Sequence, residues 1–279
     1  VSEEAALVDD VPPELTAPTG YLQVSDGMLG YLRSLAGLPV PAEQRLTAEE
    51  RADRLRQARE SLLVPAVGEP VLAQGHRDLV WSVAAPRLLV RAEAETLGTT
   101  LRLEVRRHAL PVLVELLEGG DLWCTARPGL DVAGFVTGLL DLDGREEEGL
   151  PAEGWSGGVL PAATLDRQRA LPPDVPDVLV AEVATRTATA ADLVRAAADP
   201  VAVTTAEVLW FTEPAAAGGP SAVRGAEYLW LDGGPYGLWQ LEPDRMTPAG
   251  DPITVAVRRR TPADLAAELT RLIRTEEDT

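Results

Sequence analysis

A chain of 279 residues with 46% hydrophobic and 4% aromatic content has the composition of a folded globular protein, long enough for one large domain or two small ones. Its net charge of −19 argues against nucleic acid or an anionic membrane as partner, because a phosphate backbone must be neutralised by clustered basic side chains. All 25 basic residues are arginine, and the chain has neither lysine nor asparagine, which points to a GC-rich genome of the actinobacterial kind. Without lysine there is no Schiff base, no phosphate-loop lysine and no kinase strand lysine.

Residues 1–19, with Pro12, Pro13 and Pro18, read as a loose tail. The acidic start Val1-Ser2-Glu3-Glu4 lacks the layout of a signal peptide, and no apolar run approaches the roughly 18 residues of a membrane span. A cytoplasmic location without membrane insertion is the expectation.

Tyr21-Leu22-Gln23-Val24 reads as a short strand, and Ser25 as a cap for a helix whose face is Met28, Leu29, Leu32, Leu35 and Ala36, stopping at Gly37 before Pro39. Thr47 and Glu50 make a capping box ahead of a helix with Leu55, Ala58, Leu62 and Leu63 inward. A further helical stretch is predicted from Val71 to Ala84, ended by Pro86.

Clean alternation follows. Val90, Ala92 and Ala94 alternate with Arg91, Glu93 and Glu95, while Leu101, Leu103 and Val105 alternate with Arg102, Glu104 and Arg106, as in antiparallel strands with one face on a core. Leu97-Gly98-Thr99 is the turn between them. Strands at about 110–117 and 121–126 follow, the second holding the lone Cys124 as a small buried hydrophobe, and then an amphipathic helix from Asp131. The polar stretch 142–158, with three consecutive glutamates, reads as a linker between a first half at 20–141 and a second at 159–279, both within one domain.

The second half opens with helical segments near 160–170 and 189–198, the latter with a Thr189-x-x-Asp192 cap. Strands recur at about 206–212, 225–231, 237–241 and 252–259, and Thr261 with Pro262 begins a last helix. Four strands followed by a helix thus occur twice. The closing helices overlay at an offset of 133 residues, Asp131 on Asp264, with four identities in ten positions. The fold class read from this order is α+β, a quasi-two-fold internal duplication with a central, mostly antiparallel sheet flanked by two helical bundles.

Motifs that suggest chemistry fail on context. Gly154-Trp155-Ser156-Gly157-Gly158 matches a hydrolase nucleophile elbow, but no buried strand precedes it, and His76 and His108 both lie upstream of the serine. His76-Arg77-Asp78-Leu79 echoes a kinase catalytic loop in a chain without its asparagine or lysine. Two isolated histidines and one cysteine give no zinc spacing, and Asp141-Leu142-Asp143-Gly144 has its glycine at the fourth position where a calcium loop needs it at the sixth. No cofactor is expected. Asp232-Gly233-Gly234-Pro235-Tyr236-Gly237 reads as a hairpin connection, Arg258-Arg259-Arg260 as the solvated end of a strand, and Trp210, Trp230 and Trp239 as core.

The order of elements resembles that of the EspG family, chaperone-like proteins of type VII (ESX) secretion. Three places carry the resemblance: residues 21–37, the capped helix from Thr47 through Leu63, and the hairpin Tyr228-Leu229-Trp230-Leu231-Asp232-Gly233-Gly234 leading to Thr261 and the last helix. The resemblance implies binding of secreted PE/PPE-type heterodimers before export, through the C-terminal helical bundle and a long loop between the second and third strands. Here the matching connection is only Glu95 to Thr100.

The leading expectation is therefore a non-enzymatic cytosolic adaptor that holds a small helical secreted protein or a PE/PPE-like heterodimer. Its expected contact residues are Leu97, Gly98 and Thr99 at the turn and Leu165, Leu179 and Leu193 on the helices. The alternatives are an interaction or homodimerisation module unrelated to secretion and, third, an enzyme using unidentified carboxylates.

Overall fold

The structure is a computed structural model that describes residues 21–24, 26–40, 47–50, 63–64, 71–72, 74–96, 98–116, 122–142, 156–212 and 222–274. The chain divides into two compact units. Unit 1 comprises Val1–Leu89, Glu104–Leu130 and Leu209–Arg224, and unit 2 comprises Val90–Leu103, Asp131–Val208 and Gly225–Thr279. Each unit draws on both sequence halves.

In unit 1, strand β1 (Tyr21–Val24) is followed by helix α1 (Asp26–Leu35), the two-residue strands β2 (Leu63–Val64) and β3 (Val71–Leu72), and helix α2 (Gln74–Ala84). Helix α1 ends as the sequence predicts: Gly37 takes a left-handed φ of 76°, and the Leu38 amide reaches back to the Arg33 carbonyl, closing the orphan acceptors of the last turn. The capping box is also present, with the Thr47 amide and hydroxyl both donating to Glu50 Oε2 (2.8 and 2.7 Å) and the Glu50 amide donating to Thr47 Oγ1. Two expectations are corrected here. Leu63 lies in β2 rather than on a helical face, and Val71 with Leu72 pairs to β2 rather than opening α2. β-branched and leucine runs this short carry no period that separates strand from helix. Leu55, Ala58 and Leu62 lie outside the described residues.

Strands β4 (Leu88–Thr96), β5 (Thr99–Arg107), β6 (Pro111–Leu116) and β7 (Leu122–Ala126) follow, then helix α3 (Val132–Leu139); of these, Val90–Leu103 and α3 belong to unit 2. β7 pairs antiparallel to β1 on one side and to β6 on the other, with Val112 opposite Ala126 and Val114 opposite Cys124. Those four side chains face α1 and α2, and the cluster includes Leu29, Leu32, Leu79, Val80 and Val83. Ser82, fully buried, donates to the Leu110 carbonyl at 2.8 Å and accepts the His108 amide, which fixes α2 over the turn between β5 and β6.

The remaining elements are strand β8 (Gly157–Pro161), helices α4 (Ala162–Arg169), α5 (Asp177–Thr187) and α6 (Ala191–Ala198), strands β9 (Ala202–Phe211), β10 (Ala222–Asp232), β11 (Leu238–Met246) and β12 (Pro252–Arg260), and helix α7 (Pro262–Arg274), all in unit 2 but for β9 from Leu209 and β10 up to Arg224. Strands β10, β11, β12 and β8 are successive neighbours, all antiparallel. One face of these strands, with Leu160, Leu231, Trp239, Leu241, Val255 and Val257, lies under α4 and α6, whose inward residues are Leu165, Leu193, Ala196 and Ala197. On the other face, Tyr228 and Arg260 both bond to Glu268 of α7. The Thr261 hydroxyl accepts the Asp264 amide at 3.0 Å and caps α7 as predicted.

Three features of this half differ from the sequence reading. Residues 157–161 form an edge strand where a linker and a helix start are expected, and the helix begins only at Ala162. A third helix, α5, lies between the two predicted segments. At α6 the cap residue is Ala190, without a side-chain bond: Asp192 pairs with Arg259 at 3.1 Å, and Thr189 Oγ1 accepts from Gln168. Long-range partners outcompete a local cap when both groups are partly buried.

The class is α+β, with antiparallel pairing, helices α1 and α2 on the strands of unit 1 and helices α4 and α6 on those of unit 2. Within the two sequence halves the strands neighbour one another in the same order, β1-β7-β6-β5-β4 in the first and β8-β12-β11-β10-β9 in the second.

Candidate partner-binding surface

Among the described residues, helix α5 carries the most exposed large apolar side chain of unit 2, Val178. It starts after Pro176, its N-cap, and a turn closed by the Val175 amide on the Pro172 carbonyl, with Asp177 in the first turn where negative charge suits the helix dipole. It stops at Ala188, a left-handed residue with φ 52°, where the Thr189 amide returns to the Ala184 carbonyl. Its inward face is Val180 and Ala184, buried with Val175, Val194 and Ala198.

The opposite side faces solvent. Val178 is 82% exposed and Leu179 is 40% exposed, with Ala181 and Thr185 also exposed along the same helix. The rim is charged: Asp177 pairs with Arg195 of α6, and Glu182 pairs with Arg186 one turn along. Arg195 also donates to the Val175 carbonyl at 2.6 Å, which ties the start of α5 to α6. At the other end the buried Gln168 of α4 donates to Thr187 Oγ1 and Thr189 Oγ1 at 3.3 and 3.2 Å. Both ends of α5 are held by polar contacts to its neighbours, and two large apolar side chains between them are left in water.

The six expected contact residues separate cleanly. Gly98, with φ 82°, and Thr99 stand at the exposed turn between β4 and β5, as read, whereas Leu97 lies outside the described residues. Leu179 is on the surface. Leu165 and Leu193 are buried under the sheet face at 5% and 0% exposure, each on the inward stripe of its own helix, so neither presents a side chain to a partner. Val178 was not among the expected residues; its signal was the unbroken run Val178-Leu179-Val180, of which a helix cannot turn every member inward. Near the turn, Leu101 is exposed while Val105 on the same strand is fully buried, so the apolar face of β5 outruns its cover toward the tip.

The other sequence motifs are structural. Ser156 accepts the Arg259 amide through its carbonyl and leads into a strand, not a helix. His76 sits on α2 and the His108 ring stacks at 4.9 Å from Trp81. Asp232 Oδ1 accepts the Gly234 amide and closes the connection from β10 to β11. Trp210, Trp230 and Trp239 are buried. The arginine trio is a correction: only Arg258 is solvated, while Arg259 stacks on Trp239 at 5.4 Å and Arg260 donates to Gln240 and Glu268. Strand alternation sends the middle guanidinium to the opposite face from its neighbours. Among the described residues no group of three His, Cys, Asp or Glu side chains is placed to hold a metal, and no helix is long and apolar enough to cross a membrane.

No protein-family model matches the chain, and no curated protein matches it. Among solved structures it is similar to the Mycobacterium tuberculosis type VII secretion system chaperone EspG5, in a structure described as its complex with the PE25-PPE41 dimer. The identity is 15%, the TM-score 0.48, and the alignment covers 92% of this chain and 96% of that one. At that level no residue role transfers.

Proposed function

We propose that the chain is a non-enzymatic adaptor that binds a helical type VII secretion substrate, a PE/PPE-like heterodimer or another small helical protein, and keeps its apolar tip covered in the cytoplasm until export. The observation that carries this reading is the pair Val178 and Leu179, apolar and exposed on a helix whose two ends are held by polar contacts. A fixed helix with exposed apolar side chains in its first turn and charged neighbours is a surface that takes a partner helix in a groove-and-ridge contact. The turn at Gly98 and Thr99, with exposed Leu101 behind it, is the second contact we assign.

The repeated strand order supports an internal duplication as the origin of this scaffold. In that case the two halves diverged most in their helices, since the second half carries α5 with its apolar exposure. Co-purification of the full chain from its native host tests the proposal: a small helical protein retained through washing supports it, and repeated recovery of the chain alone contradicts it.

A further inference from the structure

The outward side of α5 is shaped to take one side chain. With Val180 and Ala184 turned inward, a rotation of about 100° per residue sets Val178, Ala181, Glu182 and Thr185 on the opposite side, and all four are exposed. Residues at i, i+3, i+4 and i+7 are the four corners of the hole into which a facing helix drops a side chain. This is the only such set of four exposed residues within α5.

Both polar heads at its corners are already engaged. The Thr185 hydroxyl donates to the Ala181 carbonyl at 2.8 Å, and the Glu182 carboxylate accepts from Arg186. What remains to line the hole is apolar: the Val178 methyls, the Ala181 Cβ, the Thr185 methyl and the Glu182 methylenes. Ala181 is the smallest corner and leaves the depth. A side chain seated there removes apolar surface from water on both partners, chiefly at Val178.

The two flanks of the hole differ in charge. On one flank Asp177 pairs with Arg195, but the carboxylate side chain is 94% exposed and the arginine 17%, so the group that an approaching partner meets is negative. On the other flank stand Leu179 and the exposed Arg186. A ridge crossing α5 therefore has a carboxylate on one side of the hole and a guanidinium on the other. Resting on the adaptor reading, we propose that the partner contributes an amphipathic helix that seats one leucine-sized side chain between Val178, Ala181, Glu182 and Thr185. Its basic residue lies toward Asp177 and its acidic residue toward Arg186.

The test titrates the full chain with three helical peptides that differ only at the positions in question. The first carries one leucine with lysine on one flank and glutamate on the other, the second has alanine for the leucine, and the third has the lysine and glutamate exchanged. The first is expected to bind at least about tenfold tighter than the second and about threefold tighter than the third. Ala181→Leu plugs the hole at an exposed position with a good helix former, so the unfolding midpoint should stay while affinity for the leucine peptide falls at least about tenfold. The sign decides, because a partner that merely spreads over apolar surface would bind the added leucine more tightly. Equal or tighter binding by Ala181→Leu, equal binding of the leucine and alanine peptides, indifference to the exchanged flanks, or no binding of any peptide would each overturn the proposal. Retention of a host partner by the parent and by Ala181→Leu alike would overturn it and leave the adaptor reading standing, whereas a parent chain that retains no host partner contradicts the adaptor reading itself.

Discussion

Arg260, the last residue of β12, donates from Nη2 to Glu268 Oε2 of α7 at 2.7 Å, and the other carboxylate oxygen accepts the Tyr228 hydroxyl at 3.1 Å. One half-buried carboxylate thus fastens the closing helix to two strands of unit 2. Burial alone pushes the Glu268 pKa up, but the hydrogen bonds from Arg260 and Tyr228, with the charges of Arg260 and Arg271, outweigh it and hold the group below its ordinary value of 4.5. For Tyr228, burial and the nearby carboxylate push the phenol well above its ordinary range.

The sign of the pH effect follows. A carboxylate whose folded-state pKa is depressed stabilises the fold above its unfolded pKa and loses that contribution as pH falls through the folded value. Glu268→Gln is expected to flatten the fall in unfolding free energy below about pH 5, and Glu268→Ala to cost about 2 kcal/mol at neutral pH, as for a hydrogen bond to a charged group. Urea titrations at neutral and acidic pH measure both, and identical acid limbs for the parent and Glu268→Gln would remove the clasp from the account.

At Gly233, a Cβ would come within 2.5 Å of Ala196 Cβ and 3.0 Å of Ala196 Cα. Ala196 is fully buried, so α6 has no room to withdraw without opening the core around Leu193, Leu231 and Trp239. Gly233→Ala is expected to destabilise by about 1–3 kcal/mol through overpacking. The denaturation midpoint should fall with the slope unchanged, and an unaltered midpoint would show that α6 sits further from the turn than described.

Cys124 lies fully buried on β7, opposite Val114. Burial pushes its thiol up to about 11, with Arg106 opposing and Glu104 adding to the shift. Thiol reagents attack the thiolate, so the native chain is expected to be unreactive at neutral pH and to take up one label only on unfolding. Labelling time courses with and without denaturant decide this, and fast native labelling would contradict the burial.

Much of the fold is legible in the sequence because period and caps agree there. The alternation of Val90, Ala92 and Ala94 with charged residues, the Thr47 and Glu50 box, and the Thr261 cap all fix local structure by short-range physics, and each appears as read. Residues 157–161 were illegible because an edge strand needs only a free neighbour, and nothing in a glycine pair and a proline announces that β12 supplies one. The arginine trio was illegible for a similar reason: Asp192 lies 67 residues from Arg259. At the candidate site the error was one of direction. Leu165 and Leu193 have the same composition signal as Leu179, and only packing decides which leucines a small bundle turns inward.

The central claim rests on Val178 and Leu179, and the most direct measurement is retention of a helical partner by the full chain and by the double variant Val178→Asp, Leu179→Asp, alongside their unfolding midpoints. Both side chains are exposed, so the account predicts unchanged stability with partner retention reduced at least about tenfold, as for the loss of an apolar anchor. Equal retention by the two chains, with equal midpoints, would place the partner elsewhere and contradict the account.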